Sequence, residues 1–268
     1  MSTQEEPTIL AIETATRAGS VALLHGPRVL AEARGNSAES HSISLLETIE
    51  SILQQARVKL SDIDLFAVAC GPGSFTGLRI GIATVKAFAV CTGGKCAGVS
   101  TLAAIAQAAG SSPHTIALLP AGRGELFAQL FAVGESWVRP LDKAAHLRPA
   151  TVMEKYSELG KAILAGEGAH LYSKEFLASV NRDRSFDDSD YDLEGQDSRP
   201  PPVGTQRVWT LAPLCDQLAG PVGVLALNDY LKGIRIEPEA LHASYVRPSD
   251  AEINEKWQSE KLSQPAQP

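Results

Sequence analysis

Residues 65–79 read Leu65-Phe-Ala-Val-Ala-Cys70-Gly71-Pro72-Gly73-Ser74-Phe75-Thr76-Gly77-Leu78-Arg79, an unbroken apolar run of strand length that stops at a Gly-Pro-Gly turn. Such a run suits a central strand covered on both faces, which cannot afford polar alternation. The segment from Thr76 to Val90, TGLRIGIATVKAFAV, then carries helical periodicity. Gly81 inside that helix costs about 1 kcal/mol relative to alanine. Together with Gly77 and the nearby alanines it lets another backbone come close. Strand, turn and helix in this order predict an α/β unit.

Upstream, Thr8–Glu13 (TILAIE), Ser20–His25 (SVALLH) and Arg28–Ala33 read as three strands joined by tight turns at Thr14–Gly19 and Gly26-Pro27. Candidate N-caps at 36–40 precede a stripe of Ile43, Leu46, Ile49, Leu53 and Ala56, widened by Leu45 and Ile52, which predicts an amphipathic helix. Downstream, Lys95–Val99 is a short strand, and Ser100 caps a helix that stops at Gly110. Strands are expected at Thr115–Leu119 and Glu125–Val133 around an Ala121-Gly-Arg123-Gly124 turn. A helix near Thr151–Leu159, a strand KAILAG and a helix near His170–Val180 follow. Residues 181–200 hold six Asp and one Glu against three Arg and lead into Pro200-Pro201-Pro202, which predicts a solvated acidic insertion over 181–202. Helices are expected again at Thr210–Leu218 and Val222–Lys232, then a last short strand at Tyr245-Val246-Arg247. The polar tail 251–268 is expected to be disordered.

The β-β-β-α-β-α-β-α order and its weaker echo predict two related α/β lobes, the arrangement of the actin-like superfold shared by actin, sugar kinases and heat-shock chaperones. The expected division is an N-terminal lobe over 1–112 and a reduced second lobe over 113–250.

The 268 residues are 44% hydrophobic, 21% charged and 6% aromatic, with a net charge of −7 and a pI near 5.4. An acidic chain repels phosphate at long range and is a poor RNA clamp by itself. Cys70, Cys91, Cys96 and Cys215 show no C-x-x-C spacing, so buried, reduced thiols are expected. A polar, acidic start and no stretch of 18 consecutive apolar residues point to the cytoplasm and away from a membrane.

The Gly-rich loop lacks the Lys-Ser/Thr ending of G-x-x-x-x-G-K-[ST], and Thr76 occupies the last place of G-x-G-x-x-G. Two readings stay open: an anion held by helix-terminal amides, or a turn at Gly71 and Gly73, a cap at Ser74 or Thr76, and close packing at Gly77. Ala165-Gly-Glu-Gly-Ala169 is a weaker candidate of the same kind.

Gly71-Pro-Gly-Ser-Phe-Thr-Gly-Leu-Arg79 resembles the G-P-G-S-F-T-G-x-R signature of the bacterial TsaB (YeaZ-type) family. Ile9-Leu-Ala-Ile-Glu-Thr14, His41-Ser with its Leu/Ile-rich helix, Arg123-Gly-Glu125 and Ser244-Tyr-Val-Arg-Pro248 resemble further family segments. The chain departs from the family at Glu13 and Pro120, where Asp is usual. The resemblance implies a non-catalytic scaffold of the machinery that makes threonylcarbamoyladenosine in tRNA, paired with a catalytic metalloprotein paralogue (TsaD type) and assisted by a P-loop ATPase (TsaE type). It also implies that tRNA is reached only through the complex, that the chain forms a homodimer when alone, and that it needs no cofactor by itself; a nucleotide at the shared interface stays open. The motif-loop set, structural or anion-binding, is Glu13, Gly71, Pro72, Gly73, Ser74, Phe75, Thr76, Gly77, Arg79, Arg123 and Glu125. The partner face implied on the two helices comprises Leu45, Leu46, Ile49, Ile52, Leu53, Gly77, Ile80, Gly81 and Thr84, so Leu45→Asp or Gly81→Leu is expected to separate the partners and leave the fold intact.

The paralogues hold their metal through an H-x-x-x-H pair on the first long helix. Two histidines four apart share one helical face, but His41 is followed at that spacing by Leu45. The rivals are a small ATP-dependent phosphotransferase of the same superfold, with Glu13 as the candidate carboxylate, and a chaperone-like or septum-associated interaction protein.

Overall fold

The computed structural model describes residues 6–35, 41–182, 207–234 and 236–246. The expected acidic insertion falls outside these from residue 183 on, as does the tail. The described chain forms two compact units. One takes in the residues up to Ala104 together with those from Asp216 onward, and the other spans Ile105–Cys215.

In the first unit, strands β1 (Thr8–Glu13), β2 (Ser20–His25), β3 (Arg28–Arg34), β4 (Leu65–Gly71) and β5 (Lys95–Ser100) form one sheet ordered β3-β2-β1-β4-β5. β1 runs antiparallel to β2 and parallel to β4, and β5 is parallel to β4. Alternate side chains of one strand serve two cores. Leu10, Ile12, Phe66 and Val68 meet helices α1 (His41–Ala56) and α2 (Phe75–Thr92) through Ile49, Ile52, Ile82 and Val85. On the other face Ile9, Ala11, Ala67 and Ala69 meet α7 (Ala219–Leu231) through Ala219, Val222 and Ala226. This double burial explains why β1 and β4 read as unbroken apolar runs. The α7 face is built of small residues, and the helix lies close: a Cβ on Gly223 would stand 2.5 Å from a Leu24 methyl. Ser20 Oγ and a Glu32 carboxylate oxygen accept the Ala219 and Gly220 N–H groups at 3.0 and 2.9 Å, which caps α7 from the sheet. Of the described helices, α2 has the length and composition of a membrane span, yet its buried face rests on the sheet.

The second unit contains β6 (Ser112–Gly122), β7 (Glu125–Val133), β8 (Val138–Pro140), β9 (Ala145–Leu147), α4 (Pro149–Lys155), β10 (Lys161–Ala165), α5 (Glu167–Leu171), α6 (Ser173–Arg182) and β11 (Val208–Leu211). Its sheet runs β11-β10-β6-β7-β8, with β9 also on β7. β6 is antiparallel to β7 and parallel to β10, and β10 is parallel to β11. Each unit therefore repeats one plan: an antiparallel meander on one side of a central strand and parallel crossovers on the other. Helix α3 (Thr101–Ala108) lies at the boundary, with Ser100 Oγ accepting the Ala103 N–H at 3.3 Å.

Several expectations need correction. The chain from Asp216 returns to the first unit, whereas a second lobe running to residue 250 was expected; the small-residue face of α7 matches the alanine face of that sheet. Thr210–Leu218 is not a helix. Val208–Leu211 pairs with β10, and Ala212–Leu218 is irregular, so pairing outweighs local propensity. Tyr245 is not in a strand, and Arg247 lies outside the described residues.

Candidate functional site

The motif loop is a packing device among four backbone segments. Gly71 ends β4 at φ 114°, and a Cβ there would stand 2.5 Å from the Ser244 carbonyl oxygen. The Ser244 N–H donates to the Cys70 carbonyl at 2.7 Å. A Cβ on Gly73 would meet the Ala15 oxygen at 2.6 Å, while the Ser74 N–H donates to that oxygen at 2.8 Å. Ser74 caps α2, its hydroxyl accepting the Gly77 N–H at 3.2 Å. The Gly77 carbonyl accepts the Thr14 hydroxyl at 2.7 Å. A side chain on Gly81 would collide with that same hydroxyl and come within 3.3 Å of Val68. The glycines thus make room for backbone and for Thr14. Pro72 is buried within the loop.

Two residues of this motif build a stack on the surface. The Arg79 guanidinium lies 3.8 Å from the centre of the Phe75 ring, and Phe75 in turn stands 5.1 Å from the Tyr245 ring. Two sequence motifs far apart in the chain, 71–79 and 244–248, thereby meet at Tyr245. Sequence reasoning named both but gave no sign of this contact.

Glu13 is fully buried, and its two oxygens accept the Thr16 N–H and Thr16 hydroxyl, each at 2.7 Å. It holds the β1–β2 turn in shape. Arg123 and Glu125 lie in the other unit, on the β6–β7 hairpin. Arg123 and Gly124 both have positive φ, 53° and 77°, as a tight two-residue turn demands. A Glu125 carboxylate oxygen stands 3.0 Å from His146 Nε2. In the Gly166–Gly168 loop, Cβ atoms would meet the Leu118 oxygen at 2.5 and 3.0 Å, so packing also accounts for these glycines.

The helix-pair residues divide between core and surface. Leu45, Ile49 and Ile52 are 6%, 3% and 1% exposed and lie in the core, and Gly77 and Gly81 are buried against the sheet. These five face inward, a correction to the expected partner face. A widened stripe on a single helix marks how much of it the sheet covers before it marks a second contact. Leu53, Ile80 and Thr84 are half-buried, and Leu46 is 57% exposed. The outward positions of α2 are Thr76, Arg79, Ala83, Ala87, Val90 and Cys91, spaced at three and four residues along one face. Ala83, Ala87 and Val90 were missed; their signal was that spacing combined with few charges. Thr84 and Thr92 donate their hydroxyls to the Ile80 and Phe88 carbonyls at 2.9 Å, and Thr48 on α1 does the same to Ser44 at 2.8 Å. Their polar hydrogens are thus satisfied within the helices, and methyl groups remain. Beside this face Leu46, Glu50, Leu53, Gln54, Leu60 and Phe88 line an open, largely apolar groove of about 540 Å³.

The position four residues beyond His41 is the core residue Leu45, where a metal ligand would have to leave the core. Among the described residues no group of three or more His, Cys, Asp or Glu side chains is placed to hold a metal. The cysteines are free, but not all are buried as expected: Cys91 is exposed on α2. Burial pushes the Cys70 thiol from its ordinary 9.0 up to about 12, and burial, then the Glu237 and Glu239 carboxylates, raises Cys96. The thiolate is the nucleophile, so iodoacetamide at pH 8 is expected to alkylate Cys91 in the native chain and Cys70 and Cys96 only after unfolding. Peptide mass spectrometry checks this; labelling of native Cys70 at the rate of Cys91 would contradict it. The raised Cys70 value also means that its contribution to stability holds below the ordinary thiol range and is lost as pH rises toward 12.

A duplicated α/β plan, a loop of glycines filled by its own chain and a sparsely charged helix face define a two-lobed protein of the actin-like superfold with a reduced second lobe. Residues 31–187 match the family model described as "TsaD: tRNA N6-adenosine threonylcarbamoyltransferase". The chain is 34% identical over 165 residues to the tRNA threonylcarbamoyladenosine biosynthesis protein TsaB of Escherichia coli (strain K12), covering 60% of this chain and 71% of that protein. It is 27% identical over 181 residues to the TsaB of Bacillus subtilis (strain 168), covering 67% and 79%. The structure called YeaZ from Pseudomonas aeruginosa superposes with a TM-score of 0.66 at 28% identity, covering 89% of this chain and 99% of that one. The chain belongs to this family, in its TsaB (YeaZ) branch.

Proposed function

We propose that this chain is a non-catalytic subunit of the complex that transfers a threonylcarbamoyl group to the adenosine next to the anticodon, position 37, of tRNAs reading codons that begin with A. It acts as scaffold and activator of a TsaD-type metalloprotein paralogue, docking through the outward faces of α1 and α2. The observation that carries this reading is the outward face of α2, where one charge accompanies Thr76, Ala83, Ala87, Val90 and Cys91. Small side chains let a facing helix approach closely, and burying Leu46 and Val90 would contribute roughly 1.5–3 kcal/mol each. The self-satisfied hydroxyl of half-buried Thr84 lowers the cost of drying the border of that face.

The interface set is accordingly Leu46, Leu53, Ile80 and Thr84 from the sequence reading, joined by Ala83, Ala87 and Val90. A TsaE-type P-loop ATPase joins the pair in the cytoplasm, and tRNA is reached through the complex. Without its paralogue the chain pairs with itself through the same face. A phosphotransferase has less support, because Thr14, Ala15 and Ser244 occupy the space the motif-loop glycines leave, and Glu13 is engaged with Thr16. Depletion of the chain in its host is expected to abolish threonylcarbamoyladenosine in tRNA hydrolysates measured by mass spectrometry. Normal levels would refute the proposal.

A further inference from the structure

The stack of Arg79, Phe75 and Tyr245 points to an ionic contact. The Phe75 ring occupies one face of the Arg79 guanidinium at 3.8 Å. A stacked guanidinium keeps its N–H donors in its own plane, directed outward and suited to a bidentate carboxylate. Among the described residues no carboxylate lies within ion-pairing reach of it. Arg79 is exposed, and it is the single charge among the outward positions of α2. Phe75 is itself steadied by Tyr245 at 5.1 Å, so the guanidinium is held in place before any partner arrives. Pre-ordering of this kind lowers the entropy lost on binding.

We propose that Arg79 is the ionic anchor of the docking face and receives a carboxylate from the facing surface of the TsaD-type paralogue. This rests on the docking proposed above and adds the chemistry that the partner must present. An arginine on a weakly charged face, without a countercharge among the described residues, favours a partner that brings one and disfavours a partner that brings another cation.

The test is calorimetric titration of the purified full chain with the purified paralogue at about 0.1 M and about 1 M salt, between which the Debye length falls from about 10 Å to about 3 Å. Arg79→Ala is expected to weaken binding about tenfold or more at low salt, the low end for a close interfacial charge pair, and by a smaller factor at high salt. Arg79→Lys, which keeps charge but not the fork, and Phe75→Leu, which removes the stacking platform, are expected to fall between. A merely structural Arg79 would lower the thermal midpoint of the chain and give a loss that does not depend on salt, so the midpoint is measured alongside. Arg79→Ala binding like the wild type at low salt overturns the inference and leaves the docking proposal standing. A loss confined to self-association overturns it as well. A wild-type chain that does not bind the paralogue overturns both.

Discussion

Gly81→Leu is expected to break the first unit rather than to loosen a partner. The Cα of Gly81 faces Thr14, whose hydroxyl would collide with any Cβ there and which donates to the Gly77 carbonyl at 2.7 Å. Val68 of the central strand stands 3.3 Å from the same position. A leucine must therefore push α2 off the strand or displace Thr14 and break its bond. Overpacking of this kind costs about 1–3 kcal/mol and occasionally more, and the buried Thr14 hydroxyl on one side with Val68 on the other places it at the upper end. For a chain of this size that lowers the thermal midpoint by about 6–12 °C. Leu45→Asp belongs with it, since it buries a carboxylate among Ile49, Ile52 and Leu23. Differential scanning calorimetry decides: a wild-type midpoint in Gly81→Leu would mean that α2 does not lie against Thr14.

Leu46→Asp, one residue along from Leu45, is expected to do the opposite. Leu46 is 57% exposed at the edge of the groove that Leu53 and Phe88 line. Substitutions at such surface positions usually shift stability by about 0.5 kcal/mol or less. In the complex the same change removes roughly 1.5–3 kcal/mol of apolar burial and asks a carboxylate to lose its water without a partner. Together these predict an affinity loss of about 100-fold or more. The contrast between adjacent residues follows from helical geometry, because a step of one residue turns the side chain by about 100°.

Much of the fold was legible in the sequence because its signals were local. The apolar run Leu65–Cys70 ended where Gly71 turns with positive φ, and Gly93 closed α2 in the same way at φ 72°. The docking residues were legible only in part. Periodicity located the apolar face of α1, but Leu45 and Leu46 are equally apolar, and the sheet decides which of them is covered. The outward face of α2 centres on Ala83 and Ala87, which carry little hydrophobic signal and become informative only when seen to be exposed. The return of Tyr245 to Phe75 spans 170 residues of sequence, so no window could show it. Val208–Leu211 was misread because its strand character comes from pairing with β10.

The most direct test of docking through α1 and α2 is size-exclusion chromatography of the purified chain mixed with its TsaD-type paralogue. Leu171→Asp serves as a control, since Leu171 is 63% exposed in the other unit. Wild type and Leu171→Asp are predicted to co-elute with the paralogue, while Leu46→Asp elutes apart from it with an unchanged thermal midpoint. Co-elution of a folded Leu46→Asp chain would contradict the account.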